Sequence, residues 1–208
     1  MAQQYLFSIV IPTYNRPERL SNCLESLTKL DYPRANFEVV VVDDGSKMSL
    51  EPVVAAVKDK LNLTFVRQTN AGPAAARNTG ATKAQGQYLV FTDDDCAPAP
   101  DWLSKLAVRF STVPSSMIGG HTINALKENL YSIASQILID YLYEYYNTNS
   151  AQPKFFASNN IALPAQTFRL LGGFDTSFPL AAAEDREFCD RWLYKGYKML
   201  YAPEVQVY

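Results

Sequence analysis

Three carboxylates stand in a row at Asp93-Asp94-Asp95, directly after the apolar run Tyr88-Leu-Val-Phe91. Like charges this close repel, and at the end of an apolar strand they cost stability unless a cation offsets them. Asp93 and Asp95 are two apart, so in an extended strand end they point the same way. Magnesium and manganese favour such oxygen donors and keep water or phosphate oxygens in their remaining positions. The plainer reading is a solvated acidic turn ahead of a helix near Asp101. A second acidic strand end, Asp43-Asp44-Gly45-Ser46, reads either as a turn or as a carboxylate that accepts a nucleobase N–H.

Asn70-Ala-Gly-Pro-Ala-Ala-Ala-Arg-Asn78-Thr-Gly80 puts Gly72 and Pro73 ahead of an Ala-rich helix, with Arg77 in its first turns. Arg77 can grip a phosphate or a carboxylate, or make a structural salt bridge to an acidic strand end, and the two roles can hold together. The run lacks the Gly-Lys-Ser/Thr ending of a phosphate-binding Walker loop and is not GxGxxG. Glu184-Asp185 opens a late helix. Acidic residues there cap the helix dipole, or one of them serves as a general base toward an attacking hydroxyl. Arg191, near the far end of that helix, meets phosphate or only solvent. Cys23, Cys96 and Cys189 form no CxxC and no zinc spacing, and Cys96 reads as packing. The single histidine, His121, builds neither a histidine metal site nor a Ser-His-Asp triad by itself.

These residues need a scaffold that brings distant strand ends together. Phe7–Pro12, Phe37–Val42, Leu63–Arg67 and Tyr88–Phe91 read as strands, and Pro17–Leu30, Leu50–Leu61 and Ala74–Ala84 as helices between them. This alternation predicts an α/β sheet with right-handed crossovers, and such sheets bind ligands at the carboxyl ends of their strands. Beyond Phe91, helices are expected at Trp102–Phe110, Leu126–Tyr146 and Ala183–Lys195. Strands are expected at Ser116–Asn124, Phe155–Leu163 and Tyr197–Tyr201. The stripe Leu130, Ile133, Ile137, Tyr141 and Tyr145 reads as a core-facing side.

The chain has 208 residues, 48% of them apolar and 19% charged, which is globular composition. Nineteen basic residues against 21 acidic give a net charge of -2, so no nucleic-acid partner is expected. Met1–Ile11 lacks the features of a signal peptide, and no run approaches the roughly 20 apolar residues of a spanning helix. With three cysteines, odd in number and far apart, a reduced, cytoplasmic setting is expected.

Together these pieces resemble the family 2 glycosyltransferases, inverting enzymes with the GT-A fold. The matching runs are Ser8-Ile-Val-Ile-Pro-Thr-Tyr-Asn-Arg16, Val41-Val-Asp-Asp-Gly-Ser46, Asn70 to Asn78, Phe91-Thr-Asp-Asp-Asp95, Gly172-Gly-Phe-Asp175 and Glu184-Asp185. Each is weak alone, but their order and spacing are specific. The resemblance implies a nucleotide-diphospho-sugar transferase fold, a Rossmann-like, mostly parallel sheet flanked by helices. It implies one catalytic domain over 1–208, with a nucleotide-binding half (1–96) and an acceptor-binding half (97–208). It implies that Pro12, Thr13, Tyr14, Arg16, Asp43, Asp44, Arg77, Asp93 and Asp94 bind the nucleotide. Asp95 and Asp93 would hold a divalent metal (Mn2+ or Mg2+), with Asp95 its direct ligand. Gly172, Gly173, Phe174, Asp175, Arg191 and Trp192 would border the acceptor and sugar pocket, and Asp185 would be the base with Glu184 beside it.

The implied reaction moves a sugar from a nucleoside-diphosphate donor, a UDP-sugar by expectation, to a hydroxyl of a glycan or lipid-linked glycan. The alternative is a non-catalytic nucleotide-sugar-binding module of the same fold. A nucleotidyltransferase would want a glycine-rich basic loop after the first strand, which Pro12-Thr-Tyr-Asn-Arg-Pro17 does not supply. Family members often carry a histidine just after the strand matching Val205–Tyr208. This chain stops at Tyr208, so a truncated or minimal catalytic core is the expectation. Association with the cytoplasmic face of a membrane and homo-oligomerisation stay open, with Tyr141–Tyr146 the candidate interface.

Overall fold

The computed structural model describes residues 6–149, 152–178 and 183–208. Four parallel-type strands build its first half: β1 (Phe7–Thr13), β2 (Phe37–Asp43), β3 (Leu63–Arg67) and β4 (Tyr88–Phe91). Between them run α1 (Pro17–Leu27), the short α2 (Glu51–Ala55) and α3 (Pro73–Lys83). β1, β2 and β4 are buried along their whole lengths. That is why they read as unbroken apolar runs rather than alternating ones. Pro17 and Pro73 each sit in the first turn of a helix, where a missing N–H costs nothing.

The second half adds α4 (Trp102–Thr112), β5 (Met117–Thr122), α5 (Leu130–Asn147), β6 (Ile161–Pro164), α6 (Ala165–Leu170), α7 (Glu184–Tyr194) and β7 (Met199–Val207). The seven strands form one sheet in the order β3-β2-β1-β4-β6-β5-β7. β6 runs antiparallel to both β4 and β5, and the other pairings are parallel. One apolar layer lies between the sheet and α1 and α4, around Leu20, Leu24, Trp102 and Leu106. The other lies under α3, α6 and α7, around Ala76, Phe168, Phe174, Phe188 and Trp192.

Four expectations need correcting. The strand expected over 155–163 is confined to Ile161–Pro164. Ahead of it the chain makes a short 3-10 turn (Ser158–Asn160). There the Asn160 side chain bonds the carbonyls of His121 and Val205, and Asn147 holds the backbone of Lys154 and Phe155, so side chains do the work of a ladder. The last strand extends to Val207 through Pro203. The register between β5 and β7 slips between Gly119 and His121, and the irregularity accommodates a proline that offers no N–H. The helix expected over 50–61 stops at Ala55 and continues as turns, with Val57 and Lys60 bonding three residues back. The α5 stripe does not face the core: Leu130, Ile137, Tyr141 and Tyr145 are exposed, and only Tyr143 and Asn147 of this helix are buried. No described helix is long and apolar enough to cross a membrane.

Candidate active site

Parallel register sets the site. Thr13 at the end of β1 lies opposite Asp43 at the end of β2, and Val10 lies opposite Phe91 of β4, so three polar strand ends open on one edge of the sheet. Asn15 then turns the chain with a left-handed φ of 56°, which asparagine tolerates. Its N–H donates to Ser46 Oγ (2.8 Å) and its Oδ1 accepts from Lys47 N (2.8 Å), tying the β1 exit to the β2 exit. Asp44 is buried and commits both oxygens to the next loop. It accepts from Gln68 Nε2 (2.7 Å), Ala71 N (2.9 Å) and Gly72 N (2.9 Å). Asp43 accepts from Ser46 N (2.9 Å), while its Oδ2, 3.5 Å from Arg67 Nε, has no hydrogen bond among the described residues. Gly45, at φ 82°, lets that loop come close, because a Cβ there would lie 2.9 Å from Asn70 N.

Arg77 is the centre of these polar contacts. It lies in α3, is 4% exposed, and points one guanidinium nitrogen at each wall. Nη2 donates to Asp93 Oδ1 at 2.7 Å and Nη1 to Glu184 Oε1 at 3.2 Å. The strand end of β4 and the first turn of α7 are thereby fixed to each other, although they lie far apart in the sequence. Asp185 sits next to this bridge. Its Oδ1 accepts from Arg186 N (2.8 Å), and its Oδ2 lies at the long distance of 3.4 Å from Ser158 N. Burial raises its pKa, and the neighbouring Glu184 carboxylate raises it further, against the pull of those two N–H groups and Arg77.

At the outer end, Asp94 is buried and accepts from Thr13 Oγ1 (2.7 Å) and Arg16 Nη1 (3.2 Å), with burial the dominant influence raising its pKa. Asp95 Oδ2 accepts from Arg19 Nη1 at 2.6 Å and from Arg16 Nη1 at 3.3 Å. Cys23, one turn beyond Arg19, docks α1 on this loop, its Sγ 3.5 Å from Asp93 O. Burial holds the thiols of Cys23 and Cys96 well up, Cys96 to about 12, so they pack as neutral groups.

The donor set fits a divalent cation. Asp93 and Asp95 are partly exposed hard carboxylates, and each has one oxygen that accepts no hydrogen bond among the described residues. No cluster of three or more His, Cys, Asp or Glu ligands occurs among the described residues. A cation held here would therefore complete its shell with water or a bound phosphate, as Mg2+ and Mn2+ do.

The remaining sequence-derived residues divide into wall and support. Tyr14 is exposed at the β1 exit, and Pro12 lies in β1 beside Val42. Gly172 and Gly173 both have positive φ. A Cβ on Gly173 would lie 2.5 Å from Asn78 Oδ1, and that amide clamps Phe174 by accepting from its N–H and donating to its carbonyl, each at 2.8 Å. Phe174 is buried against Phe91, Phe168 and Phe188. Arg191 grips Glu187 with two nitrogens and donates to the carbonyls of Leu171 and Gly173, so it fastens the glycine turn rather than facing open solvent. Asp175 is exposed, and the Ser177 N–H it accepts holds its pKa down. Trp192 corrects its assignment as a pocket wall: it is fully buried in the core and donates from Nε1 to Lys198 O. Sequence reasoning missed Arg19 and Asn78. Spacing gave a signal for Arg19, which follows Arg16 by three residues and so shares its side of a helix.

The model of the family "Glycosyl transferase family 2" matches residues 8–171. Among curated proteins, the chain is 33% identical over 117 residues to Glycosyltransferase AglE of Haloferax volcanii, covering 55% of this chain and 38% of that protein. It is 30% identical over 210 residues to Validoxylamine A glucosyltransferase of Streptomyces hygroscopicus, covering 88% and 50%. It spans half or less of the length of the curated relatives it matches, down to 16% for poly(ribitol-phosphate) beta-N-acetylglucosaminyltransferase TarS of Staphylococcus aureus. Among solved structures, the mannosyltransferase PcManGT from Pyrobaculum calidifontis, in complex with GDP-Man and Mn2+, superposes with a TM-score of 0.78 and 25% identity. That match covers 99% of this chain and 57% of the other. S. aureus TarS 1-349 in complex with UDP superposes at 0.72 with 24% identity, covering 97% and 59%. These likenesses establish the α/β GT-A fold. On the family match over residues 8–171, the chain belongs to glycosyl transferase family 2.

Proposed function

We propose that the cleft catalyses inverting transfer of a sugar from a nucleoside-diphosphate donor, a UDP-sugar, to a hydroxyl of a glycan or lipid-linked glycan. The observation that carries this reading is the Arg77 bridge, which holds Asp93 and Glu184 on one guanidinium and so sets Asp185 beside the acidic strand end. The donor-bound relatives, TarS with UDP and PcManGT with GDP-Man and Mn2+, support it.

In this reading Pro12, Thr13, Tyr14, Asp43 and Asp44 line the base and ribose, and Asp44 acts by holding the 68–72 loop in place. Asp95 and Asp93 hold a divalent cation, which when bound supplies positive charge against the leaving diphosphate. The acceptor oxygen attacks the anomeric carbon from the face opposite the diphosphate. The new C–O bond forms as the bond to the diphosphate oxygen breaks, the electron pair leaves with the diphosphate, and Asp185 takes the hydroxyl proton. A carboxylate whose pKa is raised by burial is a better proton acceptor than an ordinary aspartate. One displacement inverts the centre, and no nucleophilic side chain is needed. Gly172, Gly173, Phe174 and Asp175 border the acceptor side, with Arg191 positioning them.

Calorimetric titration with UDP, GDP and dTDP, in Mn2+ and then in excess chelator, tests the donor. One nucleotide should bind tightly and lose affinity with the metal. Asp185→Asn should bind that nucleotide like wild type, yet hydrolyse or transfer from the sugar donor about 10²–10⁴-fold more slowly. Equal turnover in Asp185→Asn would remove it as the base, and an absence of turnover in both proteins would favour a binding module.

A further inference from the structure

Every carboxylate of Asp93-Asp94-Asp95 is met by a guanidinium, but the guanidiniums differ. Arg77 is buried and committed on two sides. Arg16 and Arg19 leave half or more of their side chains exposed, and both converge on Asp95 Oδ2. Their positions follow from α1: Arg16 is its N-cap, Pro17 starts its first turn, and Arg19 falls on the same side. Exposed pairs are weak and exchangeable. A guanidinium is also a two-pronged match for phosphate oxygens.

We propose that Arg19 is an exchanging counter-ion for the cation position. It neutralises Asp95 while the cleft is empty, and it passes to a diphosphate oxygen of the donor when a divalent cation takes Asp95. The proposal rests on the reading of Asp95 as a cation ligand. A cation arriving alone at Asp95 meets the positive charge of Arg19, which already holds Oδ2 of the same carboxylate. A cation arriving with a diphosphate escapes that repulsion, because the guanidinium then has an anion to turn to. Cation and nucleotide therefore bind with positive coupling, each strengthening the other by the same factor. Cys23 anchors α1 through the Asp93 carbonyl, so the helix stays docked while the side chain changes partner.

The test is Mn2+ affinity, followed by electron paramagnetic resonance of the free ion, without nucleotide and with saturating UDP or GDP. It uses wild type, Arg19→Gln, Arg19→Lys and Asp95→Asn. Arg19→Gln should bind Mn2+ alone about two- to fivefold more tightly than wild type, the scale of one exposed ion pair. The strengthening of Mn2+ binding by nucleotide should shrink in that variant by at least the same factor. Arg19→Lys, which keeps the charge but not the fork, should fall between. If Arg19→Gln binds Mn2+ no more tightly than wild type while Asp95→Asn loses it, the exchange is wrong and the metal reading stands. If Asp95→Asn binds Mn2+ as wild type does, the metal reading itself fails and takes the exchange with it.

Discussion

The inner and outer ends of the acidic cleft solve the same problem with opposite means. At the inner end, Arg77, Asp93 and Glu184 form a bridge whose arginine and glutamate are buried. At the outer end, Arg16 and Arg19 reach Asp94 and Asp95 from solvent. A buried charge without its partner is costly, so the inner bridge must stay closed. The Arg19–Asp95 pair is exposed on both sides, and such a pair contributes little and can open. The difference separates a part fixed in one arrangement from a part whose side chains can change partners.

The largest effect should follow from breaking the inner bridge. Arg77→Ala leaves Glu184 buried without a counter-charge and should lower unfolding free energy by about 3–5 kcal/mol, read by urea denaturation. Arg77→Lys should recover only part, since one ammonium cannot make the two-sided contact. Next, Gly173→Ala forces a left-handed φ on alanine and drives its Cβ against the Asn78 amide, so about 1–3 kcal/mol should be lost. At the outer end, Arg19→Ala removes a pair exposed on both sides and should cost less than about 1 kcal/mol. A loss as large as that of Arg77→Ala would erase the contrast.

Asp185 sharpens the contrast from another side. Its pKa is raised, chiefly by burial, so the folded state prefers the neutral form, and stability falls as pH rises through its titration. Asp185→Asn should therefore melt at a higher temperature than wild type at pH 7. The gap should close as pH falls below the range in which Asp185 is charged, where wild type is also neutral. Thermal melts at both pH values measure this, and a wild type more stable than the variant at pH 7 would contradict it.

The first half of the fold was legible because its strands are buried on both faces and its polar residues cluster at their ends. Phe37–Val42 left little room for anything but a buried strand, whereas Asp43-Asp44 after it read either as a turn or as a binding carboxylate. The second half was legible only in part. Periodicity finds α5 but cannot say which neighbour it has, and its Leu130–Tyr145 stripe is largely exposed. Residues 155–160 look like a strand, yet Asn147 and Asn160 replace backbone partners with side-chain ones. Site residues that act by long-range contact were the hardest. Nothing local shows that Arg77 would span Asp93 and Glu184, or that α1 would return Arg19 to Asp95. Trp192 was misplaced for the converse reason: it lies beside an exposed helix face but points inward.

The strand order has a consequence for synthesis. β4 is paired on one side with β1, and its other partner, β6, begins only at Ile161. A chain growing from its N-terminus thus presents the apolar edge Tyr88-Leu-Val-Phe91 with open N–H and C=O groups until Ile161–Pro164 has been made. Arg77 waits longer still for Glu184. The nascent first half therefore carries both an unprotected edge and a half-compensated arginine, and it is the stage at which a chaperone or a neighbouring chain would find the most to hold.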